Sequence, residues 1–404
     1  MASFTLSRLF PIWGLSLLLT SLSNGQTDPA PSTETNHSHT GLQQTEIKGL
    51  LVMKMSNGKY AGAAAQMNAT VIEKKADFEI GFNQSVGSMM DSATKEVEKF
   101  IRVRYAKRLP TGMRIEFAFS NKYSPKDGPS AAVACALMAD SILSGNELDQ
   151  GFAATGDMTA TGDVRAVGGV QSKIKGAIKK QCTIVTIPKG NQAAVADSYI
   201  IKGLKPLYAI QIFSVETFDE ALELAKSKRK ENIQKAIDEF ALVQKALNKN
   251  EKYIYNSKVQ AKLRQVITLA PHHLSAKNLL LHGLKKGPQR LSLVGSINCI
   301  NAAHENFGSI LEDNSFSTSR IDQDVLTELI YEFRRLRTKL DKRTIPCTDA
   351  YVDLAEFIKD VRNRKIFNQQ LQEKLTSMIE TVVSERKKLF NNPQVREEIM
   401  EDYQ

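Results

Sequence analysis

Ser130 and Lys173 are the two side chains whose types and positions could do covalent chemistry. A serine hydroxyl becomes a nucleophile only beside a base. Ser130 follows Asp127-Gly128-Pro129 and opens an apolar run, Ala131-Ala132-Val133-Ala134-Cys135-Ala136-Leu137-Met138, which reads as a buried helix ending at Gly145. Proline is favoured at the start of such a helix because its missing N–H would be unpaired there anyway. The free first-turn N–H groups and the helix dipole would then lie where an oxyanion forms. The usual base, histidine, is missing: the six lie at His37, His39, His272, His273, His282 and His304, with none between Thr40 and Pro271. The remaining way to run serine chemistry is a lysine base. That lysine must be neutral, and burial lowers its pKa enough to make it so. Lys173 opens a helix after Gly168-Gly169, flanked by Val170 and Ile174, and so can point inward. Lys175, Lys179 and Lys180 share that helix and read as a solvated face.

These segments resemble a known family. Pro125-Lys126-Asp127-Gly128-Pro129-Ser130-Ala131 resembles the nucleophile motif of the Lon protease proteolytic domain. Thr155-Gly156-Asp157 resembles that family's Thr-Gly-Glu, and Gly168-Gly169-Val170-Gln171-Ser172-Lys173 its Gly-Gly-Leu-Lys-Glu-Lys. The order is the family's, and so is the serine-to-lysine spacing, 173 − 130 = 43. The likeness covers roughly Thr45 to Ala225, about 45% of the chain. It implies a Ser130–Lys173 catalytic dyad, with Thr155 orienting the amine. It also implies an oxyanion hole made of backbone N–H groups from the Asp127-Gly128 loop and Ser130. For Asp127 a plain capping and turn-shaping role is equally consistent with its type.

Three positions depart from the pattern: Ala132 stands for a glycine, Asp157 for glutamate and Gln171 for the first lysine of the Gly-Gly segment. None removes the dyad. Lon enzymes usually carry an ATPase, yet these 404 residues contain no G-x-x-x-x-G-K-[ST] phosphate loop. The expectation is peptidase activity without ATP.

The elements that must hold these residues are legible from periodicity. Ile47–Met55 and Tyr60–Lys74 read as strands joined through Ser56-Asn57-Gly58-Lys59, where Asn-Gly is a strong hairpin signal. Further strands are expected at Phe78–Phe82, Arg114–Ser120, Gly151–Met158, Val164–Val167, Thr183–Pro188 and Leu207–Val215. Helices are expected at Ser85–Arg108, Asn191–Ile201 and Phe218–Lys228. Strands and helices mixed on one sheet give an α+β domain, of the Lon proteolytic type by resemblance.

The run Lys226-Ser227-Lys228-Arg229-Lys230 marks a boundary, after which the pattern is helical. Ile267 to Leu280 resembles the second half of a tetratricopeptide repeat, in a single copy. Asp322–Leu340 and Ala350–Leu389 read as long charged helices, Phe307–Arg320 as a loop, and His272-His273 as turn surface. No chemistry is visible in this region.

Residues 1–25 carry Arg8, an apolar core from Leu9 to Thr20 and small residues before Gln26, the pattern of a secretory signal peptide. An uncleaved signal anchor is the alternative. Residues 26–44, rich in Thr, Ser, Pro and Asn, read as a disordered linker. An exported chain meets little ATP, in keeping with the missing phosphate loop, and its four cysteines could pair there. Cys299–Cys347 is the candidate bridge and Cys135 a buried thiol. No cysteine pair has metal-ligand spacing, so no metal and no cofactor are expected. The net charge of +10 is spread along the chain without a nucleic-acid motif, and is read as a solvated basic surface.

The expected organisation is therefore a signal peptide (1–25), a linker (26–44), a Lon-like proteolytic domain (45–226) and an all-α C-terminal region (227–404). The expected function is ATP-independent endopeptidase action on unfolded or dedicated protein substrates. The alternative is a scaffold or self-processing protein whose C-terminal helices bind a partner. A homo-oligomeric ring is implied by the family likeness alone.

Overall fold

The computed structural model describes residues 41–54, 60–75, 77–121, 126–312, 322–364 and 368–403. The predicted leader and most of the linker, the Ser56–Lys59 turn, and Tyr123 to Pro125 of the nucleophile loop lie outside them. Residues 40–404 form one compact unit.

Strands β1 (Gln44–Lys54) and β2 (Tyr60–Glu73) pair antiparallel over their full length. They join β3 (Glu79–Phe82), β4 (Met113–Phe119), β5 (Phe152–Ala154), β8 (Ile184–Pro188) and β9 (Gln211–Val215) in a mixed sheet. Among the described residues its order is β3-β4-β2-β1-β5-β8-β9. Only β1–β2 and β2–β4 are antiparallel. A small ribbon, β6 (Asp157–Met158) with β7 (Val164–Arg165), stands apart from the sheet.

Helices cover both faces of β1. On one face, the Ser141 hydroxyl of α2 (Ala132–Ser144) donates to Thr45 Oγ1 at 3.2 Å. On the other, Val52 packs on Gly169 at the start of α3 (Val170–Lys179). Thr45 and Val52 are seven residues apart, so strand alternation sends them opposite ways. Helix α1 (Ser88–Tyr105) packs beside α2, and α4 (Ala193–Lys202), α5 (Lys205–Ala209) and α6 (Phe218–Ala225) complete this part of the chain.

Several expectations need correcting. The proposed strand 151–158 breaks after Ala154, because the Gly156 N–H turns away from the sheet and donates to the Ser130 carbonyl. Strand pairing at 164–167 reaches only Arg165. Leu207 belongs to helix α5, whose first turn holds Pro206, a residue suited to helix starts; the strand begins at Gln211.

Beyond residue 226 the chain is helical. Helices α7 (Glu231–Lys249), α8 (Ser257–Leu269) and α9 (Leu274–Gly283) share the core of the sheet through Phe240, Leu263 and Leu279. The stretch read as repeat-like, 267–280, takes in the end of α8 and most of α9. His273 is not surface: it is fully buried, caps α9 by accepting from the Ala276 N–H, and stacks near Phe213 and Phe240. A second core gathers α10 (Leu293–Glu312), α11 (Gln323–Leu336), α12 (Ile345–Arg364), α13 (Gln369–Asn391) and α14 (Pro393–Tyr403). Phe307 lies inside α10 and is buried in that core, so the expected loop is helical as far as Glu312. The single helix expected over 350–389 is two, α12 and α13, with Asn368 capping the second by accepting from the Leu371 N–H. All four cysteines are free thiols; Cys135 is buried, and Cys299 and Cys347 are not bridged.

Candidate active site

The serine loop is anchored to a helix that is distant in sequence. The Lys126 carbonyl accepts from the Gly87 N–H at 2.8 Å. Asp127 Oδ1 accepts from the N–H groups of Met89 (3.1 Å) and Met90 (3.2 Å), and from that of Gly128 (2.7 Å). Asp127 therefore caps α1 rather than the helix that follows it, and Gly87 leaves no room for a Cβ beside its carboxylate. Gly128 turns the chain with φ 102°, a conformation that suits glycine. Pro129, Ser130 and Ala131 then form a single 3₁₀ turn leading into α2. Ser130 is therefore one turn ahead of the α-helix proper. Gly145 ends α2 in the left-handed conformation.

Helix α2 is then tied to the strand break. The Ser130 carbonyl accepts from the Gly156 N–H at 3.0 Å, and the Gly156 carbonyl accepts from the Val133 N–H at 3.2 Å. The Thr155 hydroxyl also donates to the Ser130 carbonyl, at 3.3 Å. The Thr155 N–H is held by the Thr186 carbonyl of β8 at 3.2 Å. Thr155 is thus fully buried and fixed in orientation.

Lys173 reaches the same hydroxyl from the other side. Its Nζ donates to Thr155 Oγ1 at 3.0 Å, and the residue is only 3% exposed. Burial lowers the pKa of its amine to about 8. The small-residue stretch Gly62-Ala63-Ala64-Ala65 of β2 lets α3 sit this close: Gly62 faces the Ser172 backbone, and Gly176 faces the Ala63 backbone. Sequence reasoning missed Gly62, although four consecutive small residues in a strand do signal a close neighbour. Gln171 and Ser172 are half-exposed and line the cleft.

Ser130, Lys173, Asp127 and Gly128 line one cleft of about 1050 Å³. Thr155 lies behind them as the buried link between the serine turn and the lysine. Lys126 also lines the cleft; it is buried, and desolvation lowers its pKa. Asp157 is half-buried and accepts from the Met158 N–H at 2.8 Å; desolvation raises its carboxyl pKa. Among the described residues no group of three or more His, Cys, Asp or Glu could hold a metal ion, and no helix is long and apolar enough to cross a membrane.

A buried lysine is thus joined through one threonine to the turn that carries a serine. Residues 35–228 match the family described as Lon protease (S16) C-terminal proteolytic domain. The chain is similar to Lon protease 2 of Borreliella burgdorferi, 31% identical over 137 residues, which are 33% of this chain and 17% of that protein. It is 29% identical to Lon protease of Haemophilus influenzae over 204 residues, 48% of this chain and 22% of the relative. It is also 29% identical to Lon protease 2 of Bacillus subtilis over 187 residues, 44% of this chain and 32% of the relative. The chain therefore spans less than a third of the length of each of these relatives.

Proposed function

We propose that this chain is a serine endopeptidase that cuts unfolded or dedicated protein substrates through a Ser130–Lys173 dyad, without ATP. The observation that carries the reading is the Lys173 amine: buried, with a lowered pKa, and bonded to the threonine that also holds the Ser130 turn. A buried amine of this kind is neutral in a large fraction of molecules near pH 8 and can accept a proton.

Ser130 Oγ attacks the scissile carbonyl carbon while Lys173 Nζ takes the hydroxyl proton. The tetrahedral oxyanion is met by backbone N–H groups of the loop and by the positive end of the helix that follows. The Gly128 N–H is turned toward the Asp127 carboxylate, which leaves the N–H groups of Asp127 and Ser130 as the proposed donors. Lys173 then protonates the departing amine as the C–N bond breaks, leaving an ester on Ser130. Water, deprotonated by the same amine, hydrolyses that ester and restores the serine. Thr155 does no proton transfer; it orients Nζ and fixes the serine turn.

ATP independence is supported by the lack of a phosphate-loop motif in these 404 residues. Export is supported by the leader pattern over residues 1–25. Assembly into a ring is supported by family likeness and is read out by light scattering on the purified chain. Cleavage of an unstructured, casein-like substrate tests the central reading. It should fall by several orders of magnitude in Ser130→Ala, in line with loss of a catalytic nucleophile. A Ser130→Ala chain that digests casein at the parent rate overturns it.

A further inference from the structure

We propose that helices α10 and α11 form the second wall of the substrate cleft and admit a single extended, unfolded stretch of polypeptide. This rests on the peptidase reading above. The cleft that holds Ser130 and Lys173 does not end within the family domain; Asn298 and Ala302 of α10 and Leu329 and Phe333 of α11 close its far side. Its volume of about 1050 Å³ stands at the top of the range for small-molecule pockets, ~300–1,000 Å³. That is room for several residues of peptide, and far too little for a folded domain.

The wall has the periodicity of a lining. Asn298 and Ala302 are spaced i, i+4 on one face of α10 and are exposed to the cleft. Ile300 and Phe307 of the same helix are fully buried in the second core. On α11, Leu326 is buried in that second core while Leu336 is buried in the core of the sheet. The helix therefore belongs to both cores.

The wall is also attached firmly to α4, at its middle and at its C-terminal end. Asp197, 2% exposed, accepts from the Ser292 N–H (2.8 Å) and the Ser292 hydroxyl (2.7 Å) just before α10. Gly295 lies against that carboxylate with no space for a Cβ. At the C-terminal end of α4, the Ile200 carbonyl accepts from Lys339 Nζ (3.0 Å) and the Ile201 carbonyl from Arg335 Nη1 (3.4 Å). Cations suit the negative end of a helix. A wall held this way keeps its distance from the serine, so the cleft selects by chain width.

The test uses the full chain with Ala302→Trp and, separately, Asn298→Trp, both at exposed positions that tolerate a larger side chain without disturbing a core. The first readout is the rate of casein cleavage divided by the rate of Ser130 labelling with a small fluorophosphonate. This ratio should fall tenfold or more in each variant, and a ratio within twofold of the parent in both overturns the proposal. The second readout does not depend on catalysis: binding of fluorescein-labelled casein to the Ser130→Ala chain, by anisotropy. Affinity should weaken tenfold when either tryptophan is added, and unchanged affinity in both overturns the proposal. A parent chain that binds casein in this wall-dependent way but never labels at Ser130 defeats the peptidase reading and leaves the wall standing.

Discussion

Gly62 of β2 lies directly against the carbonyl of Ser172, so the backbone of the strand touches the backbone of the helix that carries Lys173. Gly176, one turn further on, would place a Cβ 2.6 Å from the Ala63 nitrogen. Backbone cannot rotate out of the way as a side chain does. The depth at which the lysine amine sits is therefore set by two missing methyl groups. Gly62→Ala should push the start of α3 off the sheet and move Nζ away from Thr155. The expected cost is about 1–3 kcal/mol of stability, as for other overpacked sites, with peptidase activity reduced tenfold or more. Urea unfolding and casein cleavage read the two effects; a variant with parental activity shows that α3 position does not govern the site.

The Lys173 amine gives a pH prediction of definite sign. Its pKa in the folded chain is about 8, lowered by burial from 10.5. Below pH 8 both folded and unfolded chains hold the proton, and the fold carries the full penalty of a buried ammonium. Between pH 8 and 10.5 the unfolded chain binds more protons, so stability rises with pH in that window. The penalty is a few kcal/mol at most, since each pH unit by which the amine is displaced counts for ~1.4 kcal/mol. Lys173→Met should abolish cleavage yet be more stable than the parent at pH 7, with the difference shrinking towards pH 10. In the parent, kcat/KM should rise about tenfold per pH unit below 8 and level off above it. A flat profile from pH 6 to 9 contradicts a titrating lysine base.

Thr155 accepts from the lysine and donates to the serine turn, which makes it a positioning residue. Thr155→Val preserves shape and removes the hydroxyl. The amine then loses its partner in a buried site, a loss of about 1–3 kcal/mol. The expected result is a fall of 10- to 100-fold in kcat with KM little changed, and recovery in Thr155→Ser. Equal loss in the valine and serine variants points to packing and not to the hydroxyl.

Asp127 acts on α1, not on the helix it precedes in sequence. Removing a helix cap costs about 1 kcal/mol, and here the same carboxylate also fixes the serine loop through the Gly128 N–H. Asp127→Ala should lower stability by about that amount and reduce kcat, while Asp127→Asn, still able to accept from N–H groups, should recover most of both. Thermal melts alongside initial rates decide it.

The candidate site residues were legible because their signals are local. Ser130 follows a Gly-Pro turn into an unbroken apolar helix, and Lys173 follows two glycines; each motif fits within ten residues of chain. The strands β1, β2 and β4 were legible by alternation and turn residues. What could not be read depends on contacts between distant segments. Asp127 could have capped either of two helices, and only the fold brings Met89 to it. The apolar stretch at Leu207 fits strand or helix, and Pro206 decides for helix. Phe307 looked like loop because it stands among Gly308, Asn306 and Ser309, yet a core around Tyr351, 351 − 307 = 44 residues downstream, buries it. The α10–α11 wall of the cleft has no motif at all.

His273 shows the same limit and gives the last prediction. Two adjacent histidines after Pro271 resemble a solvent-facing turn, but the second is fully buried. Its Nδ1 accepts from the Ala276 N–H at 3.3 Å, and its Nε2 lies 3.2 Å from Gln211 Oε1 of β9. The capping bond requires Nδ1 without a proton, so the neutral ring donates from Nε2 to the glutamine. Burial, with the neighbouring His272 adding to it, lowers its pKa to about 3 from the usual 6.5. Other groups facing it are the apolar rings of Phe213 and Phe240. The sign follows from the depressed value: below pH 6.5 the unfolded chain takes up a proton that the folded chain refuses, so stability falls as pH drops towards 3. His273 thus joins the helical region to strand β9 by a contact that acid breaks. His273→Asn keeps an N-capping acceptor and removes the titration. Its melting temperature should fall less than the parent's between pH 6.5 and pH 4.5, and parallel curves for the two proteins would show that this histidine does not set the acid limit of the fold.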